Sequence, residues 1–224
     1  MRVLKLHEWN ISTTEAGRLQ RDLAPLVVRS RCLFDPPRYV AGVDVGVDRV
    51  RGFGRAAVVV LSFPQLEVVE VQTLEGPLHW PYVPGLLSFR ELPLVLSACE
   101  LVRTTPDIVF VDGHGTAHPR RLGLASHLGL VLDVTTVGCA KSLLCGAHGP
   151  LGSRRGAVAD IVDAGETVGV AVRTRANVKP VYVSIGNKCG FADAVESVLH
   201  CTSRYRLPEP TRLAHLAAGG KLTC

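Results

Sequence analysis

Two aspartates interrupt apolar runs that otherwise read as buried β-strand: Asp44 in YVAGVDVGVD and Asp112 in DIVFVDGHGTAHPR. An ionised carboxylate in such a place is costly unless a partner or a cation compensates it. One could be structural, but two in separate strand-like segments suggest a shared cation. Oxygen ligands with few soft donors nearby point to Mg²⁺, with Mn²⁺ as a substitute.

For the two carboxylates to share an ion, the chain must bring their strands together. Residues 39–47 read as the first strand, after a helical segment beginning near Ser12 or Thr13. RAAVVVLSFP and QLEVVEVQTL read as two more strands in a meander. A proline-rich loop, HWPYVPG, leads into SFRELPLVLSACELVR, whose apolar spacing is helical, with Pro93 expected in the first turn or so. DIVFVDGHG gives a fourth strand, LGLASHLGLVLD a helix, and TTVGCAK a fifth strand. GETVGVAVRT and PVYVSIG read as a further hairpin, followed by helices over FADAVESVLHCTS and LPEPTRLAHLA. The order predicts an α/β fold of ribonuclease H-like type. Its central mixed five-stranded sheet is flanked by helices, with an extra C-terminal hairpin and helices, all in one domain spanning 1–224. In that arrangement the first and fourth strands are parallel neighbours, so Asp44 and Asp112 meet.

Glu91 is a third candidate ligand, but Ser88-x-x-Glu91 before an apolar run is equally a capping-box pattern. The pattern does not choose between them. Asp107, in Thr-Pro-Asp before a strand, reads as turn chemistry.

Composition limits the setting. With 224 residues and 47% hydrophobic content the chain can bury a sizeable core. No apolar run approaches membrane-spanning length, and MRVLKLHEWN lacks a signal-peptide core, so a soluble cytoplasmic protein is expected. Seven cysteines without CxxC spacing (Cys32, Cys99, Cys139, Cys145, Cys189, Cys201 and Cys224) signal neither a zinc site nor a disulfide framework. The net charge of +5 is compatible with a polyanionic partner, and many cations fall in Gly/Pro-rich loops.

The segments VAGVDVG, PYVPGLLSFRE, DIVFVDGHGTAHPRRLGLASHLGL, TVGCAKS and YRLPEPTRLAH resemble, in order and spacing, the motif series of the endonuclease V family. The resemblance runs from about Val40 to His215 and is carried by motifs that ribonuclease H-like folds in general do not share. It implies that Asp44, Glu91 and Asp112 bind a catalytic Mg²⁺, and that Tyr82 is a wedge filling the gap left by an extruded base. It places a deaminated purine against backbone groups of Gly85, Leu87, Gly113, Gly123 and Leu124. Lys141 and His118 fall where the family contacts phosphate, and His215 falls near the metal centre.

The implied activity is nicking of DNA at the second phosphodiester bond 3′ to deoxyinosine, leaving 3′-hydroxyl and 5′-phosphate ends. Carboxylate-held Mg²⁺ suits it, since it can activate water and neutralise phosphoryl charge. An aromatic side chain between Pro81 and Pro84 is a stiff object with which to replace an unstacked base. The expected partner is DNA containing deoxyinosine or other deaminated bases, bound by a monomer. The rivals are an endoribonuclease acting at inosine in RNA and a non-catalytic deoxyinosine-binding protein. By pattern alone, Tyr82 could anchor its loop in the core, and His118 and His215 could be ordinary surface and helix-face histidines. Asn187 stands where family members commonly have histidine, which puts a nucleic-acid contact of that loop in question.

Overall fold

The computed structural model describes residues 1–30, 36–48 and 50–222, so Cys32 and Cys224 lie outside the described residues. Helix α1 (Thr13–Leu23) starts on a capping box. The Ser12 hydroxyl accepts the Glu15 amide at 3.2 Å, and the Glu15 carboxylate accepts the Ser12 amide at 2.8 Å. Strands β1 (Tyr39–Asp48), β2 (Phe53–Ser62) and β3 (Val68–Pro77) form the expected antiparallel meander. Then follow α2 (Leu87–Leu101), β4 (Ile108–Val111), α3 (Leu124–Leu132) and β5 (Thr135–Ala140). The C-terminal part holds β6 (Ala147–His148), β7 (Val158–Asp163), β8 (Glu166–Val172), β9 (Val181–Asn187), α4 (Phe191–His200) and α5 (Glu209–Ala218).

The sheet order is β3-β2-β1-β4-β5-β9-β8-β7-β6. Strands β1, β4 and β5 run parallel, and the first five positions are the ribonuclease H-like core predicted from the element order. The expected hairpin is the β8–β9 pair, but β9 docks antiparallel on β5 and so continues the central sheet. Strands β6 and β7 extend it further and were not foreseen. In β7 only Ile161 is buried, and a solvated strand near a sheet edge carries little apolar signal.

Side chains alternate between the faces, as the strand pleat requires. Val40, Ile108, Phe110, Val137 and Cys139 pack on one face with Ala194 and Val198 of α4 and Ala214 and Ala217 of α5. Ala41, Val43, Val109 and Val111 pack on the other with Leu92 and Val95 of α2 and Ala125 and Leu128 of α3. Each fully buried large aliphatic side chain contributes roughly 1.5–3 kcal/mol. Burial pushes the Cys99 and Cys201 thiols up to about 12, which leaves them inert core groups.

Helix α2 departs from expectation at its start. Its cap is Leu86 and no side chain caps it. Ser88 instead lies in the first turn and shares a 3.0 Å hydrogen bond with Nδ1 of the buried His127, so the capping-box reading of Glu91 does not apply. Pro93 consequently falls inside the helix, beyond its first turn. The proline offers no N–H to the carbonyl four residues back, and the helix continues because Leu92, Leu94 and Val95 are all buried.

Candidate active site

The β1–β4 register pairs Val43 with Val111, and Asp44 and Asp112 are the next residue on each strand. The Asp112 amide donates to the Val43 carbonyl at 3.2 Å, so both carboxylates emerge at the same end of neighbouring parallel strands. Alternation puts them on the face of Val40, Ile108 and Phe110, which α5 covers. Gly42 and Gly46 flank Asp44 on that face. A Cβ on Gly42 would stand 1.8 Å from the Pro210 carbonyl oxygen, and one on Gly46 would stand 2.5 Å from that of Ala218. Helix α5 therefore lies directly on the β1 backbone, which brings His215 over Asp44.

The His215 Nδ1–H donates to Asp44 Oδ2 at 2.7 Å. Asp44, Asp112 and His215 each offer one ligand atom, all within 4.8 Å of one another. Lys141 follows β5, on the same face by strand parity, and its Nζ pairs with Asp112 Oδ2.

Glu91 approaches from the opposite face, on α2, and lies outside that tight group of three. It is buried, and burial, reinforced by the Asp44 and Asp112 charges, pushes its carboxyl up to about 8 against the opposing pull of Arg90. Asp112 is also raised, by burial and by Asp44, despite Lys141 and His215. Three half-buried or buried carboxyls repelling one another are an arrangement that a hard divalent cation would stabilise. The oxygen-rich donor set with a single imidazole fits such an ion. Of the expected ligands, the structure brings Asp44 and Asp112 together, adds His215, and sets Glu91 further back.

The loop between β3 and α2 leaves the sheet at this same end, since Pro77 pairs with Phe53 and Phe53 with Asp48. Trp80 anchors it, stacking on Phe89 with centroids 5.4 Å apart and donating from Nε1 to the Trp9 carbonyl at 3.2 Å. Tyr82 is 67% exposed and does not anchor the loop. Gly85 has φ +78°, a left-handed conformation suited to glycine, and Leu87 begins α2.

Across from it, Gly123 caps α3 and Leu124 begins that helix. A Cβ on Gly123 would lie 2.3 Å from the His114 carbonyl oxygen, and one on Gly113 would lie 3.2 Å from the Leu124 side chain. Gly113, Gly123 and Leu124 are thus packed together, while Gly85 and Leu87 lie where the loop after β3 joins α2.

His118, expected near phosphate, is buried and bonded within the protein. Only 3% exposed, it directs Nε2 at the Gly85 carbonyl oxygen at 3.0 Å, and its Nδ1 accepts the Arg120 amide at 3.1 Å. Because Nδ1 accepts, the proton is on Nε2, and burial holds the ring neutral with a value lowered to about 4. Both nitrogens are engaged within the protein, so the side chain joins two loops.

Asn187 also turns inward. It is buried, donating to the Gly129 carbonyl at 3.1 Å and accepting the Val28 amide at 3.0 Å. It ties β9 to α3 and to the segment after α1. Arg206 went unrecognised as a support for the site. Its Nη2 donates to the Lys141 carbonyl at 2.7 Å and its Nε to that of Pro180 at 3.1 Å, which fixes the turn carrying Lys141. A cavity of about 310 Å³ lies at the other end of the parallel strands, lined by Val40, Ile108, Thr135 and His200, away from the carboxylates.

A family model described as Endonuclease V matches residues 21–216. The chain belongs to the endonuclease V family. It is 47% identical over 221 residues to an endonuclease V of Trichormus variabilis, covering 99% of this chain and 100% of that protein. The crystal structure of an endonuclease V from Streptomyces avermitilis superposes with a TM-score of 0.90 at 40% identity, covering 95% of this chain and 93% of that one. That of Ciona intestinalis endonuclease V, in complex with DNA containing an inosine followed by a ribo-adenosine, gives a TM-score of 0.83 at 28% identity. The alignment covers 94% of this chain and 98% of the Ciona chain. Endonuclease V membership makes the chain a nuclease, and the carboxylate end of β1 and β4 is its candidate catalytic centre.

Proposed function

We propose that this endonuclease V nicks DNA at the second phosphodiester bond 3′ to deoxyinosine, leaving 3′-hydroxyl and 5′-phosphate ends, in a Mg²⁺-dependent reaction. The observation that carries the reading is the Asp44–Asp112–His215 group beside Glu91 and Lys141, with Tyr82 exposed on the loop between β3 and α2. Asp44, Asp112 and Glu91 would hold the metal, with His215 close enough to orient Asp44 or join the coordination. Mn²⁺ would substitute. Bound there, the ion would supply Lewis acidity and a lowered water pKa.

The remaining steps belong to the chain. Lys141, paired with Asp112 and held by Arg206, offers an ammonium to a phosphoryl oxygen. Tyr82 would enter the stack where the deaminated base has left it, at a cost of a few kcal/mol that a damaged pair reduces. Gly113, Gly123 and Leu124 on one side and Gly85 and Leu87 on the other would present backbone groups to the hypoxanthine edge. A ring N–H and a carbonyl distinguish that edge from adenine. The protein would act as one catalytic domain and as a cytoplasmic monomer. No helix of the described residues is long and apolar enough to cross a membrane.

A second reading, cleavage at inosine in RNA, is favoured by the ribo-adenosine in the DNA bound by the Ciona relative. Matched oligonucleotides carrying one deoxyinosine or one inosine decide between them. The proposal expects faster cleavage of the deoxyinosine strand, and preference for the ribonucleotide strand would replace it with the second reading.

A further inference from the structure

The Gly85 carbonyl oxygen receives three side-chain donors at once. His118 Nε2 approaches at 3.0 Å, Gln20 Nε2 at 3.0 Å and Arg120 Nη2 at 2.8 Å. Gln20 belongs to the buried face of α1 and is only 1% exposed. The other hydrogen of its amide nitrogen goes to the Leu122 carbonyl at 2.9 Å, and its Oε1 accepts Arg120 Nε at 2.6 Å. Every hydrogen-bonding atom of the Gln20 amide is therefore engaged, and reversing the amide would set its oxygen against two carbonyls. A carbonyl oxygen has two lone pairs, so three donors converging on it hold the Gly85 peptide in one orientation.

We propose that Gln20 and Arg120 are positioning residues that set lesion selectivity by locking the Tyr82 loop through Gly85. The inference rests on the reading of the chain as a deoxyinosine-selective nuclease. The lock joins three parts of the molecule: α1, the loop between β3 and α2, and the turn before α3 from which His118, Arg120 and Leu122 come. That turn also leads to Gly123 and Leu124, so one set of hydrogen bonds fixes the spacing of both walls between which a base would be read. A buried, fully paired network of this kind holds a single geometry, and a loop fixed before binding loses little entropy on binding. Arg120, with two of its guanidinium nitrogens directed inward, serves this purpose and not a phosphate.

Gln20→Met removes every hydrogen bond of the amide at similar volume, and Arg120→Lys keeps the charge while losing the fork. Two measurements apply: amide hydrogen exchange at Leu86 and Leu87 in the free protein, and the ratio of affinities for deoxyinosine and undamaged duplexes in metal-free buffer. The proposal expects faster exchange and a selectivity ratio about tenfold smaller in both variants, with affinity for undamaged duplex unchanged. Should Gln20→Met fail to fold, Arg120→Lys, on a surface turn, carries the test. Unchanged exchange in the variants overturns the lock. Faster exchange with an undiminished ratio overturns its role in selectivity. A wild-type protein with no deoxyinosine preference would refute the functional reading instead, and exchange alone would then judge the lock.

Discussion

Tyr82 and Trp80 divide the work of one loop between them. Trp80 is fastened to Trp9 and Phe89, so Tyr82 is free to project. Removing its ring should leave folding intact and weaken binding to a deoxyinosine duplex by roughly fivefold to a hundredfold, the range of one lost base-stacking contact. A gel-shift titration checks this, and unchanged affinity would exclude the wedge role. At this scale the sequence was most legible where chemistry and pleat coincide. Asp44 and Asp112 stood out because a carboxylate in an apolar strand is anomalous, and the predicted strand order made them neighbours. His118 and Asn187 were not legible. Whether a polar side chain in a loop or at a strand end turns inward depends on carbonyls and amides supplied from far along the chain: Gly85 for one, Gly129 and Val28 for the other. Gln20 was hidden for the same reason, since a lone amide on an amphipathic helix gives no sign that a distant carbonyl awaits it.

Helix α5 and strand β1 meet backbone to backbone at Gly42 and Gly46, and that closeness is what brings His215 to Asp44. Gly42→Ala would drive a methyl group into the Pro210 carbonyl, so α5 must move. The expected cost is about 1–3 kcal/mol, with cleavage falling further than the lost stability explains because His215 leaves Asp44. Chemical denaturation and a single-turnover cleavage rate check both parts. A variant as stable and as active as the parent would mean that this contact does not position the site. The glycine spacing around Asp44 was visible in GVDVG, but its meaning depended on a helix more than 160 residues later. The five-strand order was readable because β1, β2, β4 and β5 carry buried apolar runs and β3, though largely solvated, is rich in valine and follows β2 closely. Strands β6 and β7 were not, since the first is two residues long and the second is largely solvated.

Across the whole molecule, buried titratable groups give the stability two opposing dependences on pH. His114 and His118 are lowered from 6.5 to about 4 and His127 to about 3, in each case chiefly by burial. Their unfolded forms bind protons more readily, so the stability they contribute is present above 6.5 and lost as pH falls toward 4. Glu91 runs the other way. Raised from 4.5 to about 8, it favours the metal-free fold at low pH, and that contribution is lost as pH rises through 8. A divalent ion needs the ionised carboxylates, so the rise in Tm on adding Mg²⁺ should grow between about pH 6 and about pH 8. Thermal unfolding with and without chelator reads this directly, and a metal effect that shrinks over that interval would contradict the assignment of Glu91 to the centre. The central claim is that the carboxylates at the ends of β1 and β4 cut nucleic acid beside a deaminated base. It is tested most directly by incubating a duplex bearing one deoxyinosine with the protein in Mg²⁺. The account predicts one nick in the deoxyinosine strand, none in chelator, and rates lower by roughly a thousandfold or more in Asp44→Asn and Asp112→Asn. A nick that persists in chelator, or one that either substitution leaves undiminished, would contradict it.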